Sequence, residues 1–340
     1  MSSIRTLVWR GDFDASFLYR LALPLSAAYD QGLTDVAFLD WGNTGETVPD
    51  VLVAQRLMTP EMADQFTSAV ARLKVLEYDD DLLALRADSR VFHSLDRRLY
   101  LDQWVPAMAR ALASADLVTV SVAPLAERLR AHTDAPTVVL PNTIHGSLLS
   151  LPSPQRADGE QLKVGWGGTG THDTGWMDHG PGIARGLKAA KARMIMIGSD
   201  YSFLLNHPVE FRPGTESLSE YYGLISDLHV MLAPLRDDDF NRSKSPLKAL
   251  EAAALGIPTV AAAAGPYPDF VIDGETGFLC RTRNDWERAL KALAYDEDRR
   301  RTMGAAARER ARTLVTGEWA ARWVETYREA LASKHAIAGI

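Results

Sequence analysis

Short apolar runs alternate with amphipathic stretches along most of this chain. In the first half, runs at residues 4–9, 35–39, 51–54, 74–78, 117–120 and 137–140 read as strands. Between them, apolar positions at three- and four-residue spacing predict helices over 15–29, 61–72, 101–113 and 123–131. The second half repeats the rhythm, with strands expected at 163–166, 193–197, 209–211, 228–233 and 259–262. Strands alternating with helices imply parallel sheets covered on both faces, an α/β class with two doubly wound, Rossmann-like domains. The stretch 144–161 is rich in Ser, Pro and Leu and carries Asp158-Gly159, so it reads as the break between halves. The resulting division is 1–145, a linker at 146–162, a second domain at 163–315, and a C-terminal helix within 316–340. Trp319, Trp323 and Tyr327 share one stripe of that helix, which serves equally for returning to brace the first domain or for plain core packing.

Composition narrows the class. The chain has 340 residues, enough for two domains of common size. Hydrophobic residues make up 46% and charged residues 24%, the balance of an ordinary globular protein. A formal net charge of -7 argues against broad nonspecific binding to nucleic acid. The single cysteine, Cys280, follows an apolar run and is expected as a buried free thiol; with no possible intrachain disulfide, a reducing, cytoplasmic setting is expected. No apolar run has the length of a membrane span, and the N-terminus has no apolar leader core.

The most informative chemistry lies in Asn241-Arg-Ser-Lys-Ser-Pro-Leu-Lys-Ala-Leu-Glu-Ala-Ala-Ala-Leu-Gly-Ile-Pro-Thr259. It reads as a loop, a short helix and a buried strand. Ser245 is the expected N-cap and Pro246 the first helical residue. Gly256 supplies the left-handed residue past the helix end, and Pro258 blocks continuation. The free N–H groups of Leu247 and Lys248 make a ready anion site. Arg242, Lys244 and Lys248 surround it with positive charge, and Glu251 lies where a carboxylate can accept from ribose hydroxyls. A bland reading makes Lys248 and Glu251 a surface i,i+3 ion pair.

This segment, continued by Gly265-Pro-Tyr-Pro-Asp-Phe-Val-Ile-Asp-Gly-Glu-Thr-Gly-Phe-Leu279, resembles the donor-site signature of family 4 (group 1) retaining glycosyltransferases of GT-B fold. The likeness is densest over 244–279. The second residue of the family's Glu-x7-Glu pair falls on Glu251, and the first falls on Ser243, a departure that bears on sugar choice and activity. The Lys-Ser-Pro-Leu-Lys subgroup is the nearer likeness. The resemblance implies two domains facing across a cleft, the first on the acceptor side and the second binding a nucleoside-diphosphate sugar, UDP- or GDP-linked, with no metal and no separate cofactor. It also implies that Lys244 and Arg242 stabilise the leaving diphosphate, while Gly11 and Asp12, after the first strand, approach the reacting centre. A helix cap at Asp14 is the plainer use of that turn.

The second glycine loop, Gly165-Trp-Gly-Gly-Thr-Gly-Thr-His-Asp173, opens the second domain. Glycine lets backbone approach a phosphate or sugar, although glycine loops alone are weak signals. By resemblance Gly167, Gly168, Thr169 and His172 meet the donor, together with Ser243, Ser245, Leu247, Lys248 and Glu251. Arg212 and Pro213 are expected to border the nucleobase, or else simply to form a Pro-Gly turn. On the acceptor side the candidates are Asp79, Asp80, Arg56 and His93. Asp79-Asp-Asp81 and Asp237-Asp-Asp239 mimic carboxylate metal motifs, but a charged strand end and a solvated hinge are the plainer readings.

The expected activity is transfer of a sugar from a nucleoside diphosphate to a hydroxyl acceptor, with retention and without metal. The acceptor classes left open are a glycan, a small molecule, a protein or a modified nucleic-acid base. Two rival readings share the donor grip. One is a sugar-nucleotide epimerase of GT-B shape, which needs cleft carboxylates such as Asp12 or the Asp79 cluster. The other is a non-catalytic nucleotide-sugar-binding subunit, which the serine at 243 keeps open.

Overall fold

The apolar runs become strands within two residues of the bounds expected for each. The computed structural model describes residues 3–11, 15–43, 45, 47–87, 92, 95–168 and 172–338. Its packing divides the chain into two compact units, one of Met1–His145, Ser243–Ser245 and Leu314–Ile340, the other of Gly146–Arg242 and Pro246–Thr313.

In the first unit, β1 (Ile4–Trp9), β2 (Thr34–Leu39), β3 (Val51–Gln55), β4 (Leu73–Tyr78), β5 (Leu117–Val120) and β6 (Thr137–Val139) form one parallel sheet in the order β2-β1-β3-β4-β5-β6. All five residues of β3 are buried, as a strand covered on both faces requires. Val51, Val53, Val75 and Leu117 face Phe17, Leu21 and Leu25, together with Trp323, Tyr327 and Leu331 of the helix Thr316–Ala338. Leu52, Ala54, Leu76 and Val118 face Phe66, Met108 and Leu112 on the other side. The C-terminal helix therefore lies in this unit's core through Trp323 and Tyr327, while Trp319 is only half-buried.

In the second unit, β7 (Lys163–Gly168), β8 (Arg193–Gly198), β9 (Val209–Pro213), β10 (Val230–Ala233), β11 (Thr259–Ala262) and β12 (Gly277–Cys280) are also parallel, in the order β12-β11-β10-β7-β8-β9. Counted within the unit this is the 3-2-1-4-5-6 order of doubly wound nucleotide-binding sheets. Residues 146–162 group with this unit, with Leu148 and Leu162 buried. Cys280 is a buried free thiol, and burial pushes it well above its usual pKa.

Three local expectations change. The helix expected over 61–72 is Pro60–Ser68, because Arg72 and Leu73 already donate to the Pro49 and Asp50 carbonyls on the way into β4. β12 was not expected; it is four residues long and follows a turn in which Gly274 takes φ +79° and the Asp273 carboxylate accepts from the Leu279 N–H. The helix over 15–29 is interrupted by a π-helical stretch at Leu18–Ala22, which carries Arg20 into the interior.

Candidate functional site

Ligands of open α/β sheets bind beyond the carboxyl ends of the strands, where the strand order reverses. Each unit has one such point, and the candidate residues gather at both. In the second unit the reversal lies between β7 and β10. β7 ends in Gly167-Gly168, and these glycines are required by what crowds them. A Cβ on Gly167 would lie 2.6 Å from the Tyr221 hydroxyl, and one on Gly168 would lie 2.8 Å from the Trp166 ring and 3.0 Å from Lys248 Nζ. Gly198, at the end of β8 with φ +91°, leaves no room either, since its Cβ would sit 2.5 Å from the Gly168 carbonyl.

The helix Leu247–Ala254 runs up to this loop. Its C-terminus follows the sequence closely. Gly256 at φ +70° donates to Ala253, and Ile257 donates back to Ala252, the paired bonds of a Schellman ending. Its N-terminus differs from expectation. Pro246, at φ −80° and ψ 30°, is the N-cap residue and no side chain caps the helix. Ser245 is not the cap; its hydroxyl accepts from Asn142 Nδ2 at 2.8 Å instead.

Lys248 is half-buried. Its ammonium lies 3.2 Å from His172 Nε2 and 5.5 Å from the centre of the buried Trp166 ring. An ammonium only donates, so His172 Nε2 is the acceptor. Glu251, one turn further along, is 4% exposed and accepts from the Tyr221 hydroxyl at 3.3 Å. Burial, and then the Glu251 charge, push the Tyr221 phenol well above its usual range, so the proton stays on oxygen. Glycine loop, cation, imidazole and carboxylate thus meet within one unit. The sequence marked each of these except Tyr221 and Trp166, whose roles depend on a helix and a strand remote in the chain.

Other donor-side candidates are engaged elsewhere. Arg212 on β9 is held by Glu210 at 2.8 Å and Asp227 at 3.0 Å, with β7 and β8 lying between it and β10. Pro213 ends β9 in register with Gly198. Arg242 is half-exposed and held by Asp237 and Asp239, each at 3.0 Å, while Asp238 accepts from the Asn241 N–H. The Asp237–Asp239 trio is thus built into the short helix Asp239–Arg242 and its cap. Ser243 is fully buried. Thr169 lies outside the described residues.

In the first unit the sheet reverses between β1 and β3. Gly11 follows β1, and a Cβ there would lie 2.3 Å from the Gln55 carbonyl. Arg56 follows β3 in a left-handed conformation at φ 50°, an uncommon state for a side-chain-bearing residue. That turn aims its guanidinium at Asp79, 3.1 Å away, and Asp80, 3.8 Å away. Ser16 donates to Asp79, and Lys244 donates to Asp80 at 3.2 Å. Asp81 pairs with Arg128. The aspartate run is therefore cross-linked to cations, and among the described residues no group of His, Cys, Asp and Glu is placed to hold a metal ion. Asp12 and His93 lie outside the described residues.

Residues 199–310 match the family model described as glycosyl transferases group 1. The chain superposes on sucrose-phosphate synthase from Thermosynechococcus elongatus with a TM-score of 0.65 at 18% identity, covering 98% of this chain and 100% of that one. The fold is GT-B. Anabaena HepE in complex with UDP and glucose superposes with a TM-score of 0.63 at 17% identity, over 97% of this chain and 100% of that one. Among curated sequences, D-inositol 3-phosphate glycosyltransferase of Corynebacterium aurimucosum is 46% identical over 77 residues. That stretch is 22% of this chain and 18% of the relative, so the match spans less than a fifth of the relative's length. Among the described residues, no helix is long and apolar enough to cross a membrane.

Proposed function

We propose that this protein is a glycosyltransferase that moves a sugar from a nucleoside-diphosphate donor, UDP-linked in the first instance, to a hydroxyl acceptor. One observation carries the reading. At the reversal point of a 3-2-1-4-5-6 sheet, Lys248 stands 3.2 Å from His172 beside Gly168, and a buried Glu251 lies one turn along the same helix. Backbone that can approach a diphosphate, a cation to meet it, and a carboxylate to accept from a ribose are the parts such a donor needs. The group 1 family match over 199–310 and the UDP complex of HepE support the same donor class. They speak for transfer rather than for epimerisation or passive binding.

In this reading the donor's diphosphate gains charge as the glycosidic bond breaks. Lys248 and the N–H groups at the head of the helix Leu247–Ala254 offset that charge. Tyr221 keeps its proton and holds Glu251 in place. Retention, independence from metal and a cytoplasmic setting belong to the proposal through the likeness of the 244–279 motif and the lone thiol at Cys280.

The test is a thermal-shift panel of UDP-, GDP- and ADP-sugars, followed by a mass-spectrometric acceptor screen with the best donor. A donor present at a hundred times its Kd raises stability by about 2.7 kcal/mol. The expected result is stabilisation by one nucleotide class and a product heavier than its acceptor by one glycosyl residue. No stabilisation by any nucleotide sugar or free nucleoside diphosphate would overturn the reading.

A further inference from the structure

At the amino ends of β10 and β11 the second unit carries a cavity of about 460 Å³. His229, which precedes β10, and Pro258, which precedes β11, line it together with Ser153, Gly256, Arg300 and Arg301. Gly256 follows the last turn of the helix Leu247–Ala254, so the cavity lies at the opposite end of that helix from Lys248. It shares no residue with the donor grip.

The helix Glu297–Ala311 forms one wall. Gly304 lets this helix close on Gly256, since a Cβ there would lie 2.1 Å from the Gly256 carbonyl. The close approach brings arginines to both sides of the contact. Arg300, four residues before Gly304, is 4% exposed, and its Nη1 donates to the Leu293 carbonyl at 3.1 Å. Arg156 Nη1 donates to the next carbonyl, that of Ala294, at 2.8 Å. Arg308, four residues after Gly304, has its Nη2 3.2 Å from where a Cβ on Gly256 would stand. Its Nε and Nη2 are buried and meet no hydrogen-bond partner among the described residues. Burial holds both guanidinium groups below their ordinary pKa; Arg156 and Arg301 add to this at Arg300, against Glu297, and Arg312 adds to it at Arg308.

The carboxylates nearby do not balance these cations. Glu297 Oε1 is 3.5 Å from Arg300 Nη2, and Asp298, which lines the cavity, lies in the first turn of its helix. Glu160 is held by Lys163 at 2.8 Å. His229 adds no charge, because its Nδ1 accepts from the Lys163 N–H at 2.9 Å and burial lowers its pKa. The carbonyls of Leu293 and Ala294 orient Arg300 and Arg156 but return only partial charge.

We propose that this cavity is an anion site that takes a small phosphate monoester, with its phosphate against Arg300 and Arg301 and with Arg308 at the Gly256 end. Guanidinium forks match phosphate oxygens in pairs, and arginines already held by carbonyls lose little freedom on meeting them. The volume is that of a small-molecule site, about 300–1,000 Å³, and exceeds what a bare ion fills.

Isothermal titration of the full chain tests this, in phosphate-free buffer at fixed ionic strength, with ribose 5-phosphate, inorganic phosphate and ribose as probes. We expect ribose 5-phosphate to bind, inorganic phosphate to bind at least about threefold more weakly, and ribose not to bind. Arg301→Ala and Arg308→Ala should each weaken the ester at least about fivefold, as loss of a charged hydrogen bond does. Lys248→Ala should bind it within about twofold of the parent, which separates this site from the donor grip. Arg300→Lys keeps the charge, loses the fork and should also weaken the ester; if it does not fold, the other two arginine variants decide. No binding of the ester by the parent overturns the proposal, as does an ester no tighter than inorganic phosphate or ribose. So does ester affinity that falls in Lys248→Ala while holding in Arg301→Ala and Arg308→Ala.

Discussion

Replacing Glu251 tests the ribose contact most directly. The carboxylate is 4% exposed and has the Tyr221 hydroxyl 3.3 Å away, so it is held in place before any donor arrives. A hydrogen bond to a charged acceptor contributes about 1.5–3 kcal/mol. At 1.4 kcal/mol per tenfold, Glu251→Ala should weaken UDP binding by roughly 10- to 150-fold. Glu251→Gln keeps the shape and an oxygen for Tyr221. Neutral bonds are about half as strong as charged ones, so its loss should be roughly three- to tenfold. The folded state registers the change too, because Glu251→Ala leaves the Tyr221 hydroxyl without this acceptor at about 1–3 kcal/mol. Isothermal titration with UDP, 2′-deoxy-UDP and 3′-deoxy-UDP closes the cycle. The parent should lose affinity on one deoxy analogue, and Glu251→Ala should be indifferent to the same change. Equal losses for parent and variant, or UDP binding by Glu251→Ala within twofold of the parent, would refute the assignment.

Lys248→Ala should lower transfer more than UDP affinity, by about 10²–10³ in kcat as for other preorganised electrostatic contacts; single-turnover rates set against titration show whether affinity falls instead. Gly167→Ala would set a Cβ 2.6 Å from the Tyr221 hydroxyl and should cost about 1–3 kcal/mol in melting experiments while weakening UDP, and an unchanged melt would mean that Tyr221 moves freely. Burial, opposed in part by Arg20, raises the Glu77 carboxyl from 4.5 to about 7. A raised carboxyl adds stability that is complete below pH 4.5 and lost as pH climbs through 7, and this rise corresponds to about 3 kcal/mol. Glu77→Gln should remove that slope. The downward shifts that burial gives His179 and His229 act with opposite sign in both proteins and cancel in the difference, so parallel denaturation curves between pH 4.5 and 8 would dispose of the idea.

Much of this protein was legible in its sequence, because what local chemistry controls is written locally. The alternation of apolar runs with helical stripes specified parallel, doubly covered sheets, and β3 is buried throughout as that requires. Gly256 ends its helix in the left-handed state that its place after Leu255 foretold, since the sterics of a helix end do not depend on distant residues. Residues 163–172 and 244–251 were marked as chemistry because few other roles suit glycines, cations and a carboxylate at those spacings. Partnership was decided elsewhere. Ser245 looked like a cap, but Asn142, 103 residues earlier in the chain, takes its hydroxyl. Arg242 was marked as positive charge near the helix start, and its pairing with Asp237 and Asp239 was not foreseen. Tyr221 gave no sign of itself, because its meaning comes from Glu251 and Gly167, which only folding brings to its hydroxyl. Side-chain periodicity reports which face is buried, and it carries no record of which polar group lies across the gap. That is settled when strands stack in an order the chain does not follow, β12-β11-β10-β7-β8-β9, so that segments far apart in sequence share one edge of a sheet.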